Sequence, residues 1–282
     1  MKTPAITLVI AALLSVAASA APVRIGAVYA NSGAFTPLDE PSWRGAQAAA
    51  AFANRAAGAS GQRVELVRVP YDSTPESAAQ GVRAALAKDP SIAAFVGASD
   101  SGVALAAGRE ARRAGKVFVT SGATSPLLPA QVGSGFFLAC FGDNVQAAAA
   151  AEWLLGAKKA RKVCVVYDTS KIYTRLLRRY FEEAFKNGGG AVAESVAYRA
   201  GEPTGLPARL GECNAVFLAS VTAADAVNVI RKLRAAGFNG PIVGGDGFDA
   251  SGVWEGEPLA ENVYYTTHAF PAKGPGAAGA AT

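Results

Sequence analysis

The chain is predicted to be an α/β protein of two doubly wound, parallel-sheet lobes with a ligand cleft between them. Three observations predict this. Short apolar runs alternate with longer amphipathic runs, which is the signature of parallel βαβ units. The alternation pauses near Pro126 and restarts near Asp143. Several apolar runs break into small, polar, Gly-containing loops, and an open α/β sheet holds its ligands at the carboxyl ends of its strands.

In the first half, Val23 to Tyr29 reads as a strand and Trp43 to Ala57 as a helix ending near Gly58. Arg63 to Val69 is the next strand, and Pro75-Glu76 opens a helix to Lys88. Ile92 to Val96 is a strand, Gly102 to Ala114 a helix and Val117 to Thr120 a strand, giving a first lobe over 21–125. Residues 126–142 are rich in Pro, Gly and small side chains and read as an inter-lobe linker.

The second lobe, 143–271, begins with a helix over Asn144 to Leu155 and a strand over Lys162 to Tyr167. A helix over Tyr173 to Asn187 stops at Gly188-Gly189-Gly190, and Ala191 to Tyr198 and Asn214 to Ala219 follow as strands. Ala223 to Ala236 is a helix closed by Gly237, and Pro241 to Gly244 and Val263 to Thr267 are the last strands. Residues 272–282 have low complexity and no periodic apolar face, so a disordered tail is expected.

The first 20 residues read as a secretory signal peptide. Lys2 supplies the positive start, Ile6 to Val16 the apolar run, and Ala18-Ser19-Ala20 the small-x-small cleavage site. That run is too short to cross a bilayer, so the expected location is the periplasm. The net charge of +5 is dispersed: Arg109, Arg112, Arg113 and Lys116 are interleaved with other residues, as are Arg175, Arg178 and Arg179. Solvated helix faces account for this pattern better than a nucleic-acid patch.

Of the three cysteines, Cys164 lies inside an apolar strand and Cys213 just before another. Buried thiols are the expected reading, with a Cys164–Cys213 bridge as the alternative. His268 is the only histidine and no zinc spacing occurs, so metal and His-based nucleophilic chemistry have little to work with and no cofactor is expected.

Five loops after strand ends are more polar than packing requires: Asn31 to Gly33, Gly97 to Ser101, Ser121 to Thr124, Asp168 to Ser170 and Gly244 to Gly247. The loop holding Ser99 and Ser101 enters a helix, whose free N–H groups and positive dipole end suit a carboxylate. Either serine could instead serve as a plain N-cap. Thr124 offers a hydroxyl beside the Ala123 backbone, or simple turn chemistry ahead of Pro126. Asp246, between glycines, suits an ammonium, or an ordinary Asp-Gly turn. Asp168 and Tyr173 border a helix start that Thr169 or Ser170 could cap.

Val23-Arg-Ile-Gly-Ala-Val28, Ser32-Gly33, Arg44 to Gln47, Val96-Gly97 with Ser101, and Ser121 to Pro126 occur in this order. Asp143 to Gln146, Val165 to Asp168 with Tyr173, and Gly244 to Gly247 complete the series. Together they resemble the periplasmic branched-chain amino-acid (Leu/Ile/Val-type) substrate-binding protein family of ABC importers, over nearly all of Val23 to Pro271.

The resemblance implies a type I periplasmic binding fold that closes on its ligand. It implies carboxylate binding by Ser101 and Thr124, ammonium binding by the Ala123 backbone and Asp246, and a wall residue at Tyr173 or, one position away, Ile172. Leu38 takes the place of the family's usual aromatic, with Phe35 nearby, and the loop Ser220-Val221-Thr222 also lacks one. Asp100 adds a negative charge beside the carboxylate pocket and could help hold an amine. The family's chains continue past Pro271 with a further crossover, so an incomplete hinge is expected.

The expected function is that of a monomeric, non-enzymatic solute-binding component whose partners are a small-molecule ligand and the importer's membrane permease. The alternative is a sensor delivering amides or aromatic acids to a receptor or regulator. A serine hydrolase lacks both a G-x-S-x-G elbow and a suitably placed histidine.

Overall fold

The computed structural model describes residues 21–58, 61–202, 205–250 and 253–268. The expected signal peptide at 1–20 and tail at 272–282 lie outside the described residues. In the first lobe β1 (Val23–Ala30), α1 (Thr36–Ala56), β2 (Val64–Tyr71), α2 (Pro75–Lys88) and β3 (Ala94–Gly97) come first. They are followed by α3 (Ser101–Arg113), β4 (Val117–Thr120), α4 (Leu128–Val132) and β5 (Phe136–Leu138). The strands form one sheet in the order β2-β1-β3-β4-β5, every pair parallel.

The second lobe holds α5 (Asp143–Gly156), β6 (Lys162–Asp168), α6 (Ile172–Asn187) and β7 (Ala191–Tyr198). It continues with β8 (Ala215–Ala219), α7 (Ala223–Ala235), β9 (Ile242–Gly244) and β10 (Val263–Tyr265), in the parallel order β10-β9-β8-β6-β7. Its central strands are apolar almost end to end because both faces are covered by helices; all of β8 is buried. In each sheet the chain lays strands first to one side and then to the other, so each has a switch point where loops diverge and leave a crevice. The two crevices face each other.

Three sequence expectations are corrected. Helix α1 starts at Thr36, not Trp43, with Pro37 in its first turn, where a missing N–H costs nothing. Its early start places Asp39 in the interior, fully buried. One Asp39 oxygen accepts from the Ala30 N–H and the Tyr71 hydroxyl, both at 2.6 Å, and the other accepts from the Ser99 N–H at 3.2 Å. A single carboxylate thus ties the ends of β1, β2 and β3 together beneath the crevice.

The stretch 126–142 is not merely a linker. It contains α4 and β5, and β5 extends the first sheet because Phe136 stacks on Phe118 with ring centroids 5.4 Å apart. The cysteine expectation is also overturned: Cys164 and Cys213 are joined by a disulfide, with Cα atoms 5.7 Å apart. Pairing of β6 with β8 from Val163↔Ala215 onward brings the two residues side by side. Cys140 is the remaining thiol, half-buried.

Candidate ligand site

A cavity of about 200 Å³ lies where the loops at the carboxyl ends of both sheets meet. An apolar cavity of ~150 Å³ takes one benzene ring, so this one suits a ligand of amino-acid size. The first lobe contributes Leu38 and Ser42 from α1, Ser99 and Asp100 from the loop after β3, and Ser121, Gly122 and Thr124 from the loop after β4. The second lobe contributes Tyr173 from α6, Val221 from the loop after β8, and Asp246, Gly247, Asp249 and His268.

Local backbone geometry sets the first wall. Gly97 ends β3 at φ +126°, and a Cβ there would lie 2.1 Å from the Val28 carbonyl oxygen, so only glycine lets β3 run this close to β1. The next residues can then turn toward the crevice. Asp100 is the N-cap of α3: its Oδ1 accepts from the N–H groups of Gly102 at 2.9 Å and Val103 at 3.0 Å. Burial pushes the Asp100 carboxyl up, partly offset by those N–H groups and by the positive charge of Lys171.

The second wall is organised around Asp246. Its Oδ1 accepts from the Tyr173 hydroxyl at 2.7 Å and from Gln146 Nε2 at 3.0 Å. The Gln146 Oε1 in turn accepts the Asp246 N–H at 3.0 Å and the Thr266 hydroxyl at 2.9 Å. His268 Nε2 lies 3.0 Å from Asp246 Oδ2, and its ring packs on Phe141 with centroids 3.9 Å apart. The Tyr173 hydroxyl is held well above its ordinary range by burial, with the negative charges of Asp246 and Asp143 adding to the effect. It is therefore a permanent donor at neutral pH.

Asp143 opens α5 next to this network. Its carboxyl is pushed up to about 7 by burial, with the charge of Asp246 adding and the hydroxyl of Thr124 and amide of Gln146 opposing. Burial also raises the Cys140 thiol to about 12, leaving it protonated.

Of the residues singled out in the sequence, Leu38, Ser99, Thr124, Tyr173 and Asp246 meet at this one cavity, and Tyr173 rather than Ile172 faces it. Ser101, Ala123 and Thr222 do not reach the wall. Ser101 is the first residue of α3 and lies behind Asp100, its hydroxyl buried with no hydrogen-bond partner among the described residues. The Ala123 N–H is taken by the Thr120 hydroxyl at 2.9 Å and its carbonyl faces the Cys140 thiol at 3.5 Å. Thr222 caps α7 by accepting from the Asp225 N–H at 3.2 Å.

The open helix N-terminus expected at Ser99–Ser101 is occupied by the protein's own Asp100. The choice of cap was not readable, because three adjacent residues all carry capping side chains. Gln146 and His268 were not singled out as site residues. Nothing local marks them, since each reaches Asp246 only through the fold.

The periplasmic binding protein family matches residues 22–281. A protein of Brucella melitensis named Leu/Ile/Val-binding protein homolog 3 is 27% identical over 92% of this chain and 71% of its own length. An amino acid binding protein of Pseudomonas aeruginosa is 32% identical over 52% of this chain, and the match spans only 39% of that relative.

Among solved structures, the leucine-binding protein LivK of Thermotoga maritima superposes with a TM-score of 0.78 at 27% identity. The superposition covers 88% of this chain and 71% of that one. LivJ of Streptococcus pneumoniae, solved with isoleucine, gives 0.76 at 25% identity, covering 87% and 70%. The two facing parallel sheets, the cavity at their carboxyl ends and the family match along the chain agree: this chain belongs to the periplasmic binding protein family, among relatives of the Leu/Ile/Val-binding type.

Proposed function

We propose that this chain is the extracytoplasmic solute-binding component of an ABC importer, holding an amino acid or similar small polar solute between its lobes. One observation carries the reading. A preorganised carboxylate, Asp246, and a hydroxyl-bearing turn, Ser121 to Thr124, stand on opposite lobes of one cavity. Asp246 takes the ligand ammonium, Ser121 and Thr124 donate to its carboxylate, and Leu38 and Val221 supply apolar contact. The names of the relatives, which include leucine-binding and isoleucine-bound proteins, support an amino acid.

Binding rather than turnover is the role, and lobe closure expels water and strengthens each polar contact. The partners are the ligand and a membrane permease that contacts the outer edges of both lobes, and the protein works as a monomer.

A thermal-shift screen of the full chain against amino acids, amides and aromatic acids tests the proposal. A ligand of the native state raises Tm by mass action, and at least one amino acid should do so. Asp246→Ala should weaken that ligand by about 2 kcal/mol or more, since it leaves a buried ammonium unpaired. A shift with aromatic acids alone, or unchanged affinity in Asp246→Ala, would defeat this reading.

A further inference from the structure

The cavity carries more acid than a zwitterionic aliphatic ligand can use. Asp100, Asp246 and Asp249 line it, and neither lysine nor arginine does among the described residues. Asp246 is matched to an ammonium and already ordered by Tyr173 and Gln146. Asp249 is bonded to the Thr267 hydroxyl. Asp100 differs: Oδ1 is spent on the helix cap, whereas Oδ2 enters no hydrogen bond among the described residues.

The residue is only 6% exposed and lines the cavity, and Oδ2 keeps its contact with the cavity but has no protein donor among the described residues. An aliphatic side chain placed against it would strip its remaining hydration and return nothing. A nitrogen donor there would form a charge-assisted hydrogen bond.

We propose that Asp100 is the specificity-determining residue of this cavity, and that the preferred ligand is an amino acid whose side chain ends in a nitrogen donor, an ammonium, guanidinium or carboxamide. The inference rests on the amino-acid-binding reading and narrows it. A site built to receive an N–H rejects analogues that lack one far more strongly than an apolar pocket rejects a changed methylene. Burial raises the Asp100 carboxyl and its N–H donors and the charge of Lys171 offset this only in part, so a further nitrogen donor would favour its charged form.

Calorimetric titration of the full chain with leucine, isoleucine, glutamine, lysine and arginine tests this. At least one of the last three should bind tenfold or more tighter than leucine, and the glutamine arm separates an amide from a cation. Asp100→Asn keeps an oxygen to cap α3 but turns an NH₂ toward the cavity, so the preference should fall at least tenfold with the free protein's Tm little changed. Asp100→Ser, a second good cap, should do the same if the first variant folds poorly.

Leucine or isoleucine binding tightest, or a preference unaltered by both variants, would overturn the proposal. If leucine or isoleucine binds tightest and Asp246→Ala abolishes that binding, only this inference falls. If no amino acid binds, the underlying reading falls with it.

Discussion

Asp246 is ordered before any ligand arrives, since Gln146, Tyr173 and His268 fix both of its oxygens. Such preorganisation removes an ordering cost from the binding step. The neighbouring Asp143 carries the opposite cost. In the folded protein its carboxyl titrates near 7, against 3.8 ordinarily. Between those values the folded state keeps a proton that the unfolded chain releases, so this group's contribution to stability is present at low pH and is lost as pH rises toward 7. Asp143→Asn stays neutral throughout and still accepts from Gln146. Its stability relative to the parent, measured by urea unfolding, should therefore rise steadily from pH 4 to 7. A flat difference would show that Asp143 is not held protonated.

At the level of elements, what could be read from the residues follows from how local their determinants are. Helix α2 begins at the expected Pro75 because Thr74 accepts the Ser77 N–H at 3.2 Å and Pro75 occupies the first turn; both signals lie within four residues. Helix α1 hides its start because Pro37 and Pro41 read as breakers, while the force that extends it is Asp39 gathering donors from β1, β2 and the loop after β3. Strand β5 is too short for a period-two pattern, and its pairing with β4 and the stack of Phe136 on Phe118 identify it.

The disulfide was open between two readings for the same reason: strand order, not spacing, makes neighbours of Cys164 and Cys213. It closes a loop with a sequence separation of 49 residues. Replacing both cysteines by serine should therefore lower unfolding free energy in denaturant by about 2–4 kcal/mol. A change below 1 kcal/mol would show that the second lobe does not depend on the bridge.

For the whole molecule, the contrast lies between a basic chain, +5 overall, and an acidic cleft. The fold class, two-lobe plan and most elements were legible, because alternating apolar and amphipathic runs are a property of long segments. The inner wall was legible in part. Thr124 and Asp246 follow strand ends and Tyr173 opens α6, so their positions follow from the sheets, whereas the identity of the α3 cap decides which groups stand in front of Ser101. A ligand bound by both lobes should draw them together. Small-angle scattering at saturating amino acid should show a smaller radius of gyration than the free protein, and an unchanged radius would argue for a cleft that binds without closing.

Both sheets are parallel throughout, and each pairing waits on residues distant in the chain, as when Ile25 meets Ala94. Among the described residues no hairpin is available to start either lobe, so contact order is high and folding is expected to be slow for a chain of this size. A newly made chain of this kind remains extended and exposed to aggregation for longer than a helical bundle would. Under the extracytoplasmic role proposed above, such a delay would serve a chain that is threaded through a membrane before it folds: the architecture that builds the cleft would also postpone its assembly.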